Sequence, residues 1–157
     1  MSNDLQDSFA YNGLTASVPG LPAAWYFDPV QHAREMATLW RNNWLYVARS
    51  EGFSKPGAFR TLTIGDQNYL VVRGRSGSLH GFHNTCRHRG SLLCEAVEGQ
   101  LGTSGRIVCP YHQWTYDAED GGLLRTSSFV EPEGFDKSLY GLLQVAIVEW
   151  RGCVFLH

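Results

Sequence analysis

Residues 86–94 read CRHRGSLLC, with two thiols, an imidazole and two guanidiniums set between a valine-rich strand pattern and a glycine-rich loop. A second stretch, CPYHQWTY at 109–116, supplies another thiol and another imidazole. Together they read C-x-H, then 20 intervening residues, then C-x-x-H. Two thiolates and two imidazoles hold either a tetrahedral zinc or a two-iron cluster, so the ligand count alone does not choose. The spacing leans one way. Zinc knuckles place both thiolates in one C-x-x-C turn and both imidazoles in another. Here each loop offers one of each, an arrangement suited to two irons between facing loops.

The rest of the chain sets limits on function. Its 157 residues suffice for one domain with a real core and are too few for two comfortable ones. Hydrophobic residues make up 43% and charged residues 18%, the balance of a globular protein rather than a disordered one. A net charge of −2 gives no basic face, which argues against nucleic acid as a partner. No apolar run approaches the roughly 20 residues that cross a bilayer. The N-terminus MSNDLQDSFAYNG lacks a signal-peptide pattern, so the expected compartment is the cytoplasm, where thiols stay reduced. Under those conditions four cysteines point to metal binding or buried thiols rather than a disulfide framework.

Along the chain, residues 1–20 are polar and broken by Gly13, Pro19 and Gly20, which predicts a flexible arm. Asp28-Pro29 predicts a helix start, with Asp28 as cap and Pro29 at the first helical position. Val30, Ala33, Ala37, Trp40 and Trp44 then form an apolar stripe at helical spacing, predicting a helix over about 29–42 with the tryptophans in core packing. Strands are predicted at 44–48, 59–64, 68–73, 79–82, 106–108, 113–117, 122–125, 143–149 and 152–156. Gly65-Asp66 and Asp120-Gly121-Gly122 are the expected hairpin turns. The outline is a mainly β, antiparallel domain preceded by one helix.

At the two loops the sequence also resembles a family. CRHRG at 86–90 and CPYHQWTY at 109–116 are similar to the cluster loops of Rieske non-haem iron oxygenases, the large subunits of aromatic-ring-hydroxylating dioxygenases and related monooxygenases. WLYVARS, GFHNTCRHRG, EGFDKSLYGL and VEWRGCVF extend the similarity over about residues 21–156. Gln113 stands where the family usually has glycine, and the segment 89–108 is slightly longer than typical. The resemblance implies an antiparallel Rieske-type β-sandwich over 21–157 carrying a 2Fe–2S cluster. It implies Cys86 and Cys109 on one iron, and His88 and His112 on the other. It also implies electron transfer from a reductase or ferredoxin to a mononuclear non-haem iron in a catalytic domain of the same or a neighbouring subunit.

That catalytic iron needs two histidines and a carboxylate. His83 and His88 are spaced H-x-x-x-x-H, but His88 is committed to the cluster and no triad assembles around His83. The chain therefore reads as part of a larger oxidoreductase, without its oxygen-activating site. Arg87 and Arg89 are expected to stabilise the reduced cluster or guide an acidic donor. Backbone N–H groups of the loops are expected to point at the sulfurs, Trp114 to exclude water, and the Tyr116 hydroxyl to reach a ligand sulfur. Respiratory Rieske proteins add a loop-bridging disulfide and a serine. The matching positions here are Ser91, Tyr111 and Trp114, which implies a potential near the low end of the Rieske range. Cys94 and Cys153 are expected as buried apolar thiols, and His32 and His80 as surface or capping residues. Two other readings stand beside this one: a free-standing Rieske ferredoxin-type carrier, and a zinc-stabilised binding module.

Overall fold

The computed structural model describes residues 19–102, 104–127 and 130–157. The arm expected at 1–20 lies almost wholly outside them. Two compact units divide between Glu35 and Met36. In the first, a 3-10 turn at Ala23–Tyr26 precedes helix α1, Pro29–Glu35. Asp28 caps the helix as expected, its Oδ1 accepting from Val30 N–H at 2.9 Å. The helix is shorter than the predicted 29–42. Met36–Trp40 winds as a π-helical turn instead, and Val30, Trp40 and Trp44 are exposed. The apolar stripe is real in sequence, but its tryptophans are not core packing within this chain.

Among its described residues the second unit holds eleven strands: β1 Leu45–Arg49, β2 Ala58–Ile64, β3 Gln67–Arg73, β4 Leu79–His83, β5 Glu98–Gln100, β6 Arg106–Val108, β7 Thr115–Asp117, β8 Leu123–Arg125, β9 Gln144–Val145, β10 Ile147–Trp150 and β11 Cys153–Leu156. All pair antiparallel, in three sheets ordered β5-β2-β3-β4-β9, β1-β11-β10 and β6-β7-β8. The mainly antiparallel β fold expected from the sequence is observed. Strand β5 had no sequence signal, because Glu-Gly-Gln is neither apolar nor β-branched. The strand expected over 143–149 is two strands, with Ala146 pairing instead to His157.

Strand β3 explains the architecture. Leu70, Val71 and Val72 are all fully buried, which a strand achieves only when both faces of its sheet are covered. Leu70 and Val72 join Phe59, Phe82, Ile107, Trp114 and Tyr116 in one core. Val71 joins Val47, Phe53, Val154 and Leu156 in the other. The five-stranded sheet is therefore the middle layer, with β1-β11-β10 on one side and the small β6-β7-β8 sheet on the other. Gly81 permits the closest approach of layers, since a Cβ there would stand 2.6 Å from Ile147 of β10.

One polar cluster fastens the turn after β3 to the turn after β7. Glu119 accepts from the Ser76 hydroxyl, from Ser76 N–H at 3.2 Å and from His80 Nε2 at 3.2 Å. These hydrogen bonds, that of Ser76 foremost, hold the Glu119 carboxyl down at about 2. His80, expected as a surface or capping residue, is one member of this latch. A depressed carboxylate contributes stability that is complete above its unfolded pKa and lost as pH falls through the folded one. The expected outcome is a loss of stability between about pH 4.5 and pH 2 that Glu119→Gln removes, the variant being about 1–2 kcal/mol less stable at neutral pH. Denaturant melts of both proteins across that pH range check it.

Candidate metal centre

The two cysteine loops have the same build. In loop one, Cys86 N–H donates to Ser91 O at 2.8 Å and Gly90 N–H to Cys86 O at 3.0 Å. In loop two, Cys109 N–H donates to Trp114 O at 2.8 Å and Gln113 N–H to Cys109 O at 3.0 Å. The residue four beyond each cysteine has positive φ, 72° at Gly90 and 57° at Gln113. Glycine adopts that conformation without strain, whereas glutamine is held there against a penalty of about 1–2 kcal/mol. Gln113 recovers part of it through its Oε1, which accepts from the Ser127 hydroxyl at 3.3 Å.

The loops bring like donors together. The Cys86 and Cys109 side chains are both buried and close enough for Cys109 to help push the Cys86 thiol up. The His88 and His112 rings lie 4.9 Å apart between centroids. Among the described residues, no three of His, Cys, Asp or Glu surround one point as a single ion requires. The four instead form a thiol pair and an imidazole pair. His112 Nδ1 is buried with no hydrogen-bond partner, an arrangement that costs free energy unless a metal takes the lone pair. Burial, first, pushes the Cys86 thiol up, and the Tyr116 hydroxyl and His88 N–H oppose the shift. This donor set fits a 2Fe–2S core.

The surroundings are equally specific. Tyr116 is fully buried; its hydroxyl accepts from Arg87 N–H at 3.1 Å and lies 3.2 Å from Cys86 Sγ. A phenol oxygen can accept from Arg87 N–H and at the same time donate its own proton to a Cys86 thiolate. Trp114, 2% exposed, stacks on His88 at 4.6 Å and 7° between planes. Phe135 and Tyr140 of the 133–142 segment meet Trp114 edge-on at 6.2 and 5.7 Å, so that segment walls the site. Burial and, next, the neighbouring His112 lower the His88 pKa, and Arg89 adds to the effect. Arg87 and Arg89 are exposed.

Other candidates fall elsewhere. His83 packs on Tyr69 at 5.1 Å, apart from the imidazole pair. Ser91 closes loop one through its carbonyl, and Tyr111, 61% exposed, lies over His112. All four cysteines are free thiols. Cys94 is half-buried rather than fully buried, packed against the core, its thiol pushed up to about 11 by burial. Cys153 is half-buried too, and it has a polar partner: Arg49 Nη1 donates to its sulfur at 3.1 Å.

Asn84 is the residue that sequence reasoning missed. It is fully buried two positions before Cys86, and its side chain bridges three chain segments. Nδ2 donates to Asn68 Oδ1 and to Cys94 O, both at 2.7 Å, while Oδ1 accepts from Cys94 N–H at 2.9 Å. Every polar group is satisfied, so loop one is pinned at both its entry and its return.

Comparison with known proteins agrees with this geometry. Residues 43–132 match the Rieske [2Fe-2S] domain family. The oxygenase subunit of glycine betaine monooxygenase from Chromohalobacter salexigens is 41% identical over 87% of this chain and 29% of its own length. Chloroplastic choline monooxygenase from Beta vulgaris is 34% identical over 82% of this chain and 28% of its own. A solved quaternary ammonium Rieske monooxygenase, whose structure gave insights into carnitine oxidation and inter-subunit electron transfer, superposes with a TM-score of 0.78 at 27% identity. It covers 87% of this chain and 36% of that one. The chain thus spans under a third of the curated relatives' length.

Two substitutions test how the loops are held. Asn84→Ala orphans the backbone groups of Cys94 and is expected to cost about 2–4 kcal/mol. Gln113→Gly relieves the positive φ and is expected to gain about 0.5–1 kcal/mol, while Gly90→Gln loses a similar amount. Urea titrations check all three. Since the matched residues take in both loops and the strands that carry them, the chain belongs to the Rieske [2Fe-2S] domain family.

Proposed function

We propose that residues 21–157 form the electron-entry domain of a Rieske non-haem iron oxygenase, with residues 1–20 as an arm. In this reading Cys86 and Cys109 bind one iron and His88 and His112 the other. The pairing of facing thiols and facing imidazoles on twin loops carries the proposal. The buried, unpartnered Nδ1 of His112 is the atom left to bind there. When bound, a Rieske cluster takes up and gives back one electron at a potential raised by its neutral imidazoles.

The chain's own groups adjust that exchange. Tyr116 O–H and His88 N–H both point at the Cys86 sulfur, which gains negative charge on reduction, so both favour the reduced state. Trp114 excludes water from one side of the site. The half-buried His88 and His112 rings offer the shortest way out to an acceptor. Inter-subunit electron transfer, named for the quaternary ammonium monooxygenase, suits an acceptor iron on a neighbouring copy.

For the whole protein we propose oxygenation of a small quaternary ammonium compound, supported by the names of the curated relatives. A reductase or ferredoxin is the donor and a mononuclear iron the acceptor. That chemistry belongs to the part of such a protein that this chain does not span. The exposed outer face of β1-β11-β10, where Trp44, Val148, Trp150 and Phe155 line an apolar depression of about 410 Å3, suits packing against that part. A cytoplasmic location is proposed on the four free thiols; among the described residues no helix is long and apolar enough to cross a membrane.

Visible absorption and low-temperature EPR of the reduced protein decide between cluster and zinc. A coloured, EPR-active sample with two irons per chain is expected, and a colourless, zinc-loaded one overturns the reading. The bridging disulfide and the serine hydroxyl of respiratory Rieske proteins have no counterpart here. A redox titration is therefore expected to give a midpoint of roughly −150 mV, and a clearly positive value is contrary. Tyr116→Phe removes one hydrogen bond to sulfur. At about 1–2 kcal/mol the loss lowers the midpoint by roughly 40–90 mV.

A further inference from the structure

The arginines of this chain are unevenly used. Arg41, Arg60, Arg73 and Arg75 each pair with a carboxylate, as does Lys137. Arg106 at the start of β6 and Arg125 at the end of β8 are exposed and make no ion pair among the described residues. Asp117, which faces Arg106 across the β6–β7 ladder, is already held by Arg75 at 2.9 Å. Arg106 and Arg125 line one groove of about 720 Å3 on the outward face of β6-β7-β8, together with Val108, Gln113, Thr115 and Leu124. Val108 and Leu124 are 49% and 44% exposed there. A polar groove with two exposed arginines beside exposed Val108 and Leu124, in a chain whose net charge is −2, is complementary to an acidic protein.

The groove also touches the site. Val108 precedes Cys109 in the chain, and Gln113 N–H donates to the Cys109 carbonyl at 3.0 Å. A redox centre seated in the groove is therefore one residue from a proposed ligand. The His88 and His112 rings do not line this groove. A donor bound there leaves the imidazole edge open to the acceptor, so that neither partner has to leave before the other arrives.

We infer that the Arg106–Arg125 groove is the docking surface for the acidic electron-donor protein. This rests on the electron-transfer reading above and adds to it a place of entry. The redox step is a single electron transfer: the reduced donor protein loses one electron, the domain gains one, and no bond forms or breaks.

The test uses the full chain loaded with its cluster and mixed anaerobically with a reduced plant-type 2Fe–2S ferredoxin, an acidic low-potential protein. Freeze-quench EPR follows the reaction, because the two clusters give different signals. Arg106→Glu/Arg125→Glu is expected to slow reduction about tenfold at low salt, with the difference closing at high salt. Reduction by dithionite and the EPR spectrum are expected to match wild type, which excludes misfolding as the cause. Equal rates for variant and wild type overturn the inference. So does a wild-type cluster that dithionite reduces and ferredoxin does not, or a loss confined to Arg87→Glu/Arg89→Glu, which moves the donor to the tip of loop one. A chain that takes up no cluster defeats the electron-transfer reading itself, and the docking surface falls with it.

Discussion

Tyr116 joins two parts of the chain that must meet. Its backbone belongs to β7 and pairs with Ile107, while its hydroxyl, 3.1 Å from Arg87 N–H and 3.2 Å from Cys86 Sγ, holds loop one. A buried hydroxyl costs free energy unless it is bonded, and here loop one is the partner. The same contact therefore positions a cysteine and satisfies a core polar group. Its usefulness to electron transfer follows from its direction. While it accepts from Arg87 N–H, its proton remains available to a Cys86 thiolate, which has none of its own to give.

The rest of the fold serves to keep that meeting point rigid. β3 is buried on both faces, which fixes the middle sheet, and the small β6-β7-β8 sheet packs on one side of it. Asn84 then ties loop one to β3 through Asn68 and to its own return strand through Cys94. Loop one is thus braced by contacts within its own core.

The sequence disclosed the parts of the structure that repeat a local rule. Alternation and turn glycines located most strands, because each face decision is made within a few residues. The two loops were legible because chemistry demands particular side chains at fixed spacing. Tyr116 was legible as a donor from its offset to Cys109. Asn84 was not, since a buried amide looks like any loop amide until its three partners, distant in sequence, are known. β5 was not, because an edge strand of Glu-Gly-Gln is created by its neighbour β2. Helix α1 was overextended for the opposite reason. Its apolar stripe is a sound helical signal, but the residues past Glu35 wind as a π turn and leave Trp40 exposed.

Loop-to-loop cohesion without a disulfide has a physical consequence. A bridge across such loops typically contributes 2–4 kcal/mol, largely by restricting the unfolded chain. Here the corresponding positions are Ser91 and Tyr111, and closure rests on Tyr116 and on the stacking of Trp114 against His88. Two hydrogen bonds at about 1 kcal/mol each and an aromatic pair at about 0.5–1.5 kcal/mol reach a comparable total. The difference lies in reversibility. Noncovalent contacts hold whatever the redox poise around the chain. A disulfide in a reducing compartment does not persist. The aromatic closure thus joins the two loops while leaving all four cysteines as free thiols.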